Sequence, residues 1–403
     1  MLATELELPT FDYTDASLRG DSYRSAMAAL EGHDGWLAAG PFGFIALDRE
    51  AGEFFLRTKE AEFPGLMLAQ LFGIEDGPLH EEIVHNIISV NGDDHRRLRN
   101  LVNPALAPRA VERYRPAMRG FLEQLLGAIG ADGSCEFIEQ FAKPYPSLVI
   151  AHVMGAPLSD APRLHHWSNM IQRQFDATSL TNERSEIERA VAEFYAYEDE
   201  LIPSRRAAPG DDLISALIAA EEAGDRLSDG ELRNLILNML VGGVDTSQSQ
   251  LAHAVRLLAA HPVQWQALRE DPAGLALAAV DEAVRYEPIT PFTARILTSE
   301  LEYRGVTFPQ NSIVMVSAWH ANRDGPADRF DITRVSGGAR VLTFGAGIHH
   351  CVGANLARAE MQQALAFLAQ RIEAIELDGE PEFGTPSGIY GLESLPLRLK
   401  LDR

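Results

Sequence analysis

Cys351 is the residue with the clearest chemical potential, because it follows a glycine-rich turn and directly precedes a predicted helix. Gly345 and Gly347 allow the backbone to turn tightly and to bring N–H groups close to the sulfur. Residues 354–360 predict a helix, and a thiolate at a helix N-terminus is stabilised by the helix dipole, which lowers its pKa. Taken alone, a lone cysteine beside a turn is more often an ordinary buried residue, and a metal-binding thiolate is the alternative that the other motifs have to support.

A zinc site is a second interpretation of this loop, since His349, His350 and Cys351 are zinc ligands by type. Three adjacent residues cannot easily converge on one tetrahedral ion, which weighs against it. Cys135 is the other of the two cysteines and lies outside every motif. A disulfide framework is therefore not expected, as is typical of proteins from a reducing compartment.

A long helix is predicted over residues 228–262. Ser228 and Glu231 form a capping-box start, after which apolar residues recur with helical periodicity as far as a His-Pro pair. Gly242 and Gly243 stand in the middle of this helix, where each costs about 1 kcal/mol relative to alanine. Some other requirement must therefore favour glycine at these two positions.

An acid and an alcohol come soon after the two glycines, as Asp245 and Thr246. A carboxylate and a hydroxyl can both exchange protons through water, which suits proton delivery to a bound reactant. The alternative is a packing notch in which the Thr246 hydroxyl bonds to the carbonyl four residues earlier.

Two charged pairs also have helical spacing. Glu282 and Arg285 lie on a predicted helix over residues 275–286, where such a pair is usually a surface ion pair. His95 and Arg99 share one face of another predicted helix. Since a buried carboxylate requires cationic partners, the second pair is a candidate for binding an acidic group.

The composition is strongly acidic, because 35 basic and 58 acidic side chains give a formal charge of −23. This charge argues against nucleic acid and anionic membranes as partners. Residues 1–13 lack the apolar segment of a signal peptide, and no apolar run approaches the ~18 residues of a spanning helix. No linker or repeat divides the chain. We expect a soluble, cytoplasmic monomer with a single domain over residues 1–403.

Together these motifs resemble those of the cytochrome P-450 family, the haem-thiolate monooxygenases. The positions that match the family's cysteine-ligand loop are Phe344, Gly345, Gly347, His349, Cys351 and Gly353. Gly243, Asp245 and Thr246 match the family's oxygen-activation segment. No Cys-x-x-Cys-His sequence exists, which excludes covalent haem attachment of the c type. The cofactor that the resemblance implies is therefore haem b.

The resemblance also implies a role for each matching residue. Cys351 becomes the axial ligand of the haem iron, with Phe344 shielding it from water, and Gly243 leaves room for dioxygen. Asp245 and Thr246 become the proton relay of oxygen activation. The haem propionates are assigned to His95, Arg99, Arg295 and His349. A buried network that shapes the cysteine loop is assigned to Glu282, Arg285 and Arg329.

Substrate contacts follow from the resemblance by position only. The candidates are Ile87, Leu240, Val241, Val244, Pro291, Phe292, Ile389 and Tyr390, with Phe72, Ile83, Ile88 and Thr290 as further members of the same segments. Nearly all are apolar, which implies a hydrophobic guest such as a terpenoid, steroid, fatty acid or aromatic compound. Apolar residues at such positions are also ordinary core.

The implied fold is mainly α: the cytochrome P-450 fold, with a large α-rich lobe, a long central helix and a small β-sheet lobe around buried haem. The implied reaction inserts one oxygen atom of O₂ into a hydrophobic substrate by hydroxylation or epoxidation. Electrons come from a ferredoxin or flavodoxin with an NAD(P)H-dependent reductase. A basic island for that donor is predicted from Arg96, Arg97, Arg109, Arg340 and His350.

Two other functions are compatible with the same fold. One is a peroxygenase that uses hydrogen peroxide, and the other is a non-enzymatic haem sensor or carrier. The Asp245–Thr246 pair argues against both, because peroxygenases usually lack it and a sensor has no use for a proton relay.

Overall fold

The computed structural model describes residues 1–31, 35–130, 132–222, 227–323, 328–334 and 340–402. Most of these residues are helical, as the resemblance predicts. The α-helices are α1 (Gly20–Glu31), α2 (Arg49–Arg57), α3 (Gly65–Leu71), α4 (Gly77–His85), α5 (Gly92–Leu106), α6 (Pro108–Val111), α7 (Arg115–Gly127), α8 (Pro144–Met154), α9 (Ala161–Gln172), α10 (Ala177–Asn182), α11 (Arg184–Ala207), α12 (Leu213–Glu222), α13 (Asp229–Gly243), α14 (Asp245–Ala260), α15 (Pro262–Glu270), α16 (Pro272–Tyr286), α17 (Ala318–Ala321) and α18 (Ala354–Ala369).

The strands form one mixed sheet and smaller antiparallel sheets. They are β1 (Leu37–Gly40), β2 (Gly43–Ala46), β3 (Ala61–Glu62), β4 (Ser134–Glu136), β5 (Phe292–Leu297), β6 (Leu301–Tyr303), β7 (Val306–Phe308), β8 (Ile313–Ser317), β9 (Ile372–Leu377), β10 (Glu382–Phe383), β11 (Leu392–Ser394) and β12 (Pro396–Leu401). The mixed sheet has the order β1-β2-β8-β5-β3, in which β2 and β8 are parallel. β12 pairs with both β9 and β4, and β10 pairs with β11. The predicted mainly α architecture is confirmed.

The predicted long helix is two helices, α13 and α14, separated by Val244. The capping box is present as expected, because the Glu231 N–H donates to the Ser228 hydroxyl and the Glu231 carboxylate accepts from the Ser228 N–H. Val244 departs from helical geometry at φ −93° and ψ −71°. Its N–H still reaches the Leu240 carbonyl at 3.3 Å, a stretched bond that marks the opening. The interruption therefore lies inside the segment that the sequence singled out.

Most of the buried apolar side chains belong to one helical core that surrounds α13 and α14. Smaller clusters fill the space between the mixed sheet, α1 and α2. A buried ion cluster ties the first helix to this core. The Glu287 carboxylate accepts from Arg24 of α1 at 2.8 Å and from Arg256 of α14 at 2.7 Å. Burial opposes ionisation, but these two cations lower the pKa of Glu287 to about 2.

Other features of the fold bear on the sequence-based expectations. In the described part of the chain, no helix is both long and apolar enough to cross a bilayer. Cys135 lies on β4 as a buried free cysteine, and burial raises its pKa to about 11. Among the described residues no cluster of three histidine, cysteine or acidic side chains is arranged to hold a metal ion, so the zinc interpretation gains no support.

Glu198 on α11 carries a buried carboxyl group without a hydrogen-bond partner among the described residues. Burial raises its pKa well above the usual value of 4.5, so the folded protein retains this proton to a higher pH than the unfolded chain does. The free energy of unfolding is therefore higher at acidic pH, and it decreases as the pH rises from the pKa of Glu198 in the unfolded chain toward its pKa in the folded protein.

We therefore expect Glu198→Gln to raise the free energy of unfolding by more than about 1 kcal/mol at pH 8, and by less at pH 5. Urea titration at the two pH values measures this difference. The neighbouring Asp199 is exposed and pairs with Arg233, so Asp199→Asn serves as the control with little change. An equal effect of Glu198→Gln at both pH values would contradict the expected proton uptake.

Candidate active site

The Cys351 loop is held in a tight backbone turn at the start of α18. Gly345 and Gly347 have φ angles of +69° and +72°, which favour glycine, so the predicted turn is present. A side chain on Gly347 would also collide with the carbonyl of Leu56 at the end of α2. The Cys351 N–H donates to the Phe344 carbonyl at 2.8 Å, which closes the loop.

The backbone N–H groups that act on the Cys351 sulfur include those of Gly353 and Ala354, at the start of α18. Burial raises the pKa of this thiol, and the backbone N–H groups of Gly353 and Ala354 oppose that rise. Arg99 and Arg358 also favour the thiolate through their positive charge. The predicted effect of the α18 dipole on the pKa of Cys351 therefore comes from individual backbone N–H groups at the start of that helix.

A cavity of about 470 Å³ separates the Cys351 loop from the α13–α14 interruption. Gly242, Gly243 and Thr246 line the helix side of this cavity. An added side-chain carbon on Gly243 would collide with Ile150 of α8, whereas one on Gly242 would meet nothing within 4 Å. The resemblance predicted that Gly243 provides the room for dioxygen. In the structure the free space lies next to Gly242, whereas the missing side chain of Gly243 allows α8 to pack closely against the helix.

Asp245 and Thr246 both follow the interruption, in the first turn of α14, but their side chains have different surroundings. The Thr246 hydroxyl lines the cavity and donates to the Gly242 carbonyl at 2.6 Å, the backbone bond expected of a helix threonine. The Asp245 carboxylate is buried against α9, where it accepts from Ser168 at 3.2 Å and from Asn169 at 3.5 Å. Burial raises the pKa of Asp245, partly offset by the nearby His165.

Four basic side chains converge beside the Cys351 loop, on one edge of the cavity. The rings of His95 and His349 are 4.5 Å apart, and Arg99 donates to the His350 carbonyl. Burial together with the charges of Arg295, His95 and Arg99 lowers the pKa of His349 to about 3. The structure therefore brings the four predicted residues together.

This basic cluster has unused hydrogen-bonding capacity. His95 Nε2 and His349 Nδ1 are buried and have no partner among the described residues. Arg295 is 3% exposed, and within the described ranges it bonds only to the carbonyl of Ala294, without an acidic partner. Burial lowers its pKa to about 10. Buried cationic groups of this kind require an anion that the polypeptide does not supply.

The buried network under α16 includes the predicted Glu282–Arg285 pair. Arg285 Nε and Nη2 donate to the Glu282 carboxylate at 2.7 and 2.8 Å, and Arg285 Nη1 donates to Asp328 at 2.5 Å. Arg334 completes the network by donating to Asp328 at 2.6 Å. The assignment of the second arginine to Arg329 is wrong, because its side chain is exposed and only its carbonyl takes part.

The comparison with known proteins agrees with this geometry. A family model described as Cytochrome P450 matches residues 79–273 and 274–399. The chain belongs to the cytochrome P450 family. Luteothin monooxygenase of Streptomyces thioluteus is 34% identical over 405 residues, which cover 97% of this chain and 96% of that protein. Mycinamicin IV hydroxylase/epoxidase of Micromonospora griseorubida is 36% identical over 309 residues, 75% of this chain and 76% of that one.

The fold comparison gives the same family. The crystal structure of CalO2 superposes with a TM-score of 0.89 at 29% identity, covering 98% of this chain and 99% of that chain. Membership of the cytochrome P450 family makes the protein an oxidoreductase of the monooxygenase type with a haem-iron cofactor. The unpartnered donors of the basic cluster and the buried Cys351 thiol fit a haem, whose propionates are anions and whose iron binds a thiolate.

The predicted substrate positions of this P450 divide into two groups. Ile87, Val241, Phe292 and Ile389 line the cavity, as do the further candidates Phe72, Ile88 and Thr290. Leu240, Val244, Pro291 and Tyr390 do not line it, and neither does Ile83. Leu240 and Val244 project into the helical core on the far side of the helix, and Tyr390 packs against Tyr23. Position in the sequence identifies which segments border the cavity, but packing decides which side chains of each segment line it.

Several cavity residues were not recognised from the sequence. Glu360 of α18 is the clearest, because it is a fully buried carboxyl that lines the cavity and accepts from the Ser247 hydroxyl. Burial raises its pKa to about 8. An acidic side chain between Ala359 and Met361, on the apolar face of an amphipathic helix, is a signal that could have identified it.

The surface behind Cys351 is basic, but not through all of the predicted residues. A recess of about 480 Å³ there is lined by Arg99, Arg340, His350 and Arg358. Of the predicted island, Arg340 and His350 therefore take part, while Arg109 is exposed outside the recess. Arg96 and Arg97 are paired with acids, Asp93 at 2.9 Å and Asp94 at 3.3 Å, respectively.

The corrected network makes a prediction about stability. We expect Arg334→Met to lower the free energy of unfolding by about 1–3 kcal/mol, because it leaves the buried Asp328 carboxylate with one cation fewer. The matched change Arg329→Met should alter it by less than about 0.5 kcal/mol, since that side chain is exposed. Chemical denaturation of both variants measures the difference. Equal losses of stability would instead support Arg329 as the second arginine of the Glu282–Arg285 network.

Proposed function

We propose that this protein is a haem b monooxygenase that inserts one oxygen atom of O₂ into a hydrophobic small molecule, by hydroxylation or epoxidation. The observation that carries the proposal is the cavity that has the Cys351 thiol on one side and Gly242 and Thr246 on the other. The apolar residues that line it support a hydrophobic guest. We treat residues 1–403 as one domain in this proposal.

The residues that would hold the haem follow from the basic cluster. Cys351 would supply the thiolate ligand. Arg99 and Arg295 would supply positive charge for the haem carboxylates, and His95 and His349 would bind them through their unpartnered ring nitrogens. A thiolate-bound haem supplies electron density that favours cleavage of the O–O bond. The chain supports this thiolate with the N–H groups of α18, and Phe344 packs beside it with Arg358 stacked 4.6 Å from its ring centre.

Proton delivery is the proposed work of the interrupted helix. Asp245 can retain a proton at higher pH than an exposed aspartate, because burial raises its pKa. Asp245 and Thr246 are adjacent in the first turn of α14, and Thr246 lines the cavity. We assign Asp245 to proton uptake from the α9 side and Thr246 to proton placement in the cavity.

A separate protein would deliver the electrons, a ferredoxin or flavodoxin reduced by an NAD(P)H-dependent reductase. The recess behind Cys351 supports this part of the proposal, because its four basic side chains contrast with a net charge of −23. Charge complementarity of this kind speeds the association of an acidic partner and weakens with added salt.

Replacement of the thiol tests the proposed function. We expect Cys351→Ser to abolish the far-red-shifted absorption of the reduced carbon monoxide complex and all NADPH-dependent turnover with a ferredoxin and its reductase. Cys135→Ser is the control and should change neither, because Cys135 is buried on β4 away from the cavity. A Cys351→Ser protein that keeps the spectrum would refute thiolate ligation. Turnover that needs hydrogen peroxide instead of NADPH would identify a peroxygenase, and no turnover a sensor or carrier.

Thr246 should affect coupling more than binding. We expect Thr246→Ala to leave haem content and the substrate-induced spin change nearly intact, because only a hydroxyl at the cavity wall is lost. Oxygen and NADPH consumption should continue while hydrogen peroxide replaces most of the oxidised product, a loss of product of about ten-fold or more. Product and peroxide yields per NADPH measure this. An alanine variant that remains well coupled would mean that Thr246 only bonds to the Gly242 carbonyl.

A further inference from the structure

One wall of the cavity is polar, although most of the cavity lining is apolar. Asn86 after α4, Gln174 after α9 and Asn238 on α13 all line the cavity. They come from three separate elements, and two of them, Asn86 and Gln174, lie beside Glu82, a fully buried residue of α4. Three primary amides on one wall of an otherwise apolar site are the arrangement that orients a guest by hydrogen bonds.

The orientation of the Asn238 amide is fixed by the backbone. Its Oδ1 accepts from the Ile87 N–H at 2.9 Å, so its Nδ2 has to be the other branch of the amide. That nitrogen is buried and has no hydrogen-bond partner among the described residues. A buried donor is rarely left unpaired in a native protein, so a partner from outside the polypeptide is expected.

Gln174 presents a second donor on the same cavity lining. The side chain is 7% exposed, and its Nε2 has no partner with hydrogen-bond geometry in the described part of the chain. The amide is nevertheless near enough to Glu82 to lower the pKa of that carboxyl, against the larger effect of burial. The Asn86 amide is already used, because its Nδ2 donates to Glu82 Oε1 at 2.6 Å and its Oδ1 accepts from the Ile88 N–H at 3.1 Å. Asn86 thus positions the wall, Asn238 supplies a free N–H group, and Gln174 supplies an N–H group that can turn from Glu82 toward a guest.

Resting on the proposed monooxygenase function, we propose that Asn238 and Gln174 form a substrate-orienting subsite for a neutral hydrogen-bond acceptor. The matching group is a carbonyl oxygen of a ketone, ester or lactone on a mainly hydrophobic substrate. Its oxygen accepts from Asn238 Nδ2 and Gln174 Nε2, while the hydrocarbon part fills the apolar remainder of the cavity. The two amides thereby select which end of the substrate points away from the Cys351 loop.

A carboxylate does not suit this wall. Among the described residues that line the cavity, the arginine, histidine and glutamate side chains, those of Arg99, His349 and Glu360, all belong to the Cys351 side. Glu82 lies beside the polar wall, and burial raises its pKa to about 7, with the Asn86 and Gln174 amides acting in the opposite direction. A second carboxylate beside Glu82 would be repelled or protonated, whereas a carbonyl dipole is accepted without charge repulsion.

Alkylimidazoles that anchor to the haem iron test the subsite without knowledge of the natural substrate. The probes are 1-dodecylimidazole and its monoketones, with the carbonyl moved along the chain one carbon at a time. At one carbonyl position we expect the wild-type holoenzyme to bind the ketone roughly five- to ten-fold more tightly than the parent, the value of one or two net hydrogen bonds. The shift of the Soret band gives each dissociation constant.

The variants separate the subsite from the cavity as a whole. Asn238→Leu should abolish the ketone preference while 1-dodecylimidazole binds within about two-fold of wild type. Asn238→Asp keeps an acceptor for the Ile87 N–H but removes the donor, so it should also lose the preference if Asn238→Leu does not fold. Asn234 lies one turn earlier on α13, bonds to Tyr195 and does not line the cavity, so Asn234→Leu should retain the preference.

Each outcome bears on a different proposal. Equal affinities for the parent and every ketone in the wild type would overturn the subsite, as would a preference that survives both Asn238→Leu and Gln174→Leu. In that case ordered water satisfies the two amides. Absence of any Soret shift with 1-dodecylimidazole would instead contradict the haem-thiolate function itself, since that probe needs only the iron.

Discussion

The arrangement of this protein depends on the surroundings of one sulfur atom, that of Cys351. Burial raises the pKa of this thiol, and the surrounding chain supplies positive potential that opposes the rise. It does so with the N–H groups that begin α18 and with Arg99 and Arg358. We interpret the buried ion network of Glu282, Arg285, Asp328 and Arg334 as structural support for this loop.

Buried charge is distributed unevenly between the two sides of the cavity. Near Cys351 there are more basic than acidic side chains. Arg295 shows this most clearly, because it is buried without an acidic partner among the described residues. Toward the opposite wall, burial raises the pKa of two acids, Glu82 and Glu198, which have no cation in hydrogen-bond contact among the described residues. This polarity suits a cofactor with carboxylates on one side and an uncharged guest on the other.

Much of the site was predictable because its chemistry depends on short local patterns. The Cys351 loop, the capping box at Ser228 and the interruption after Gly243 each involve residues close together in the chain, and the structure has all three where the sequence placed them. The helix that follows the cysteine begins at Ala354, as expected.

The errors arose where a role depends on which face of an element is buried. Arg334 replaces Arg329 because the irregular backbone after Asp328 turns the latter side chain outward, which residue spacing does not encode. Leu240 and Val241 are adjacent, yet only Val241 reaches the cavity, since a helix rotates successive side chains by about 100°. Glu360 was overlooked because an acid within a helix suggests a solvent face until its neighbours are known.

The cavity wall draws on residues far apart in the chain, from Tyr13 and Thr14 to Ile389. During synthesis the helices that precede Cys351 emerge first and can pack, but Cys351 and the wall segment at Ile389 leave the ribosome much later. A complete haem pocket therefore cannot exist on a nascent chain that has not reached Ile389. Cofactor capture belongs to a late stage of folding, and a polypeptide terminated before Cys351 would lack the thiol that lines the cavity.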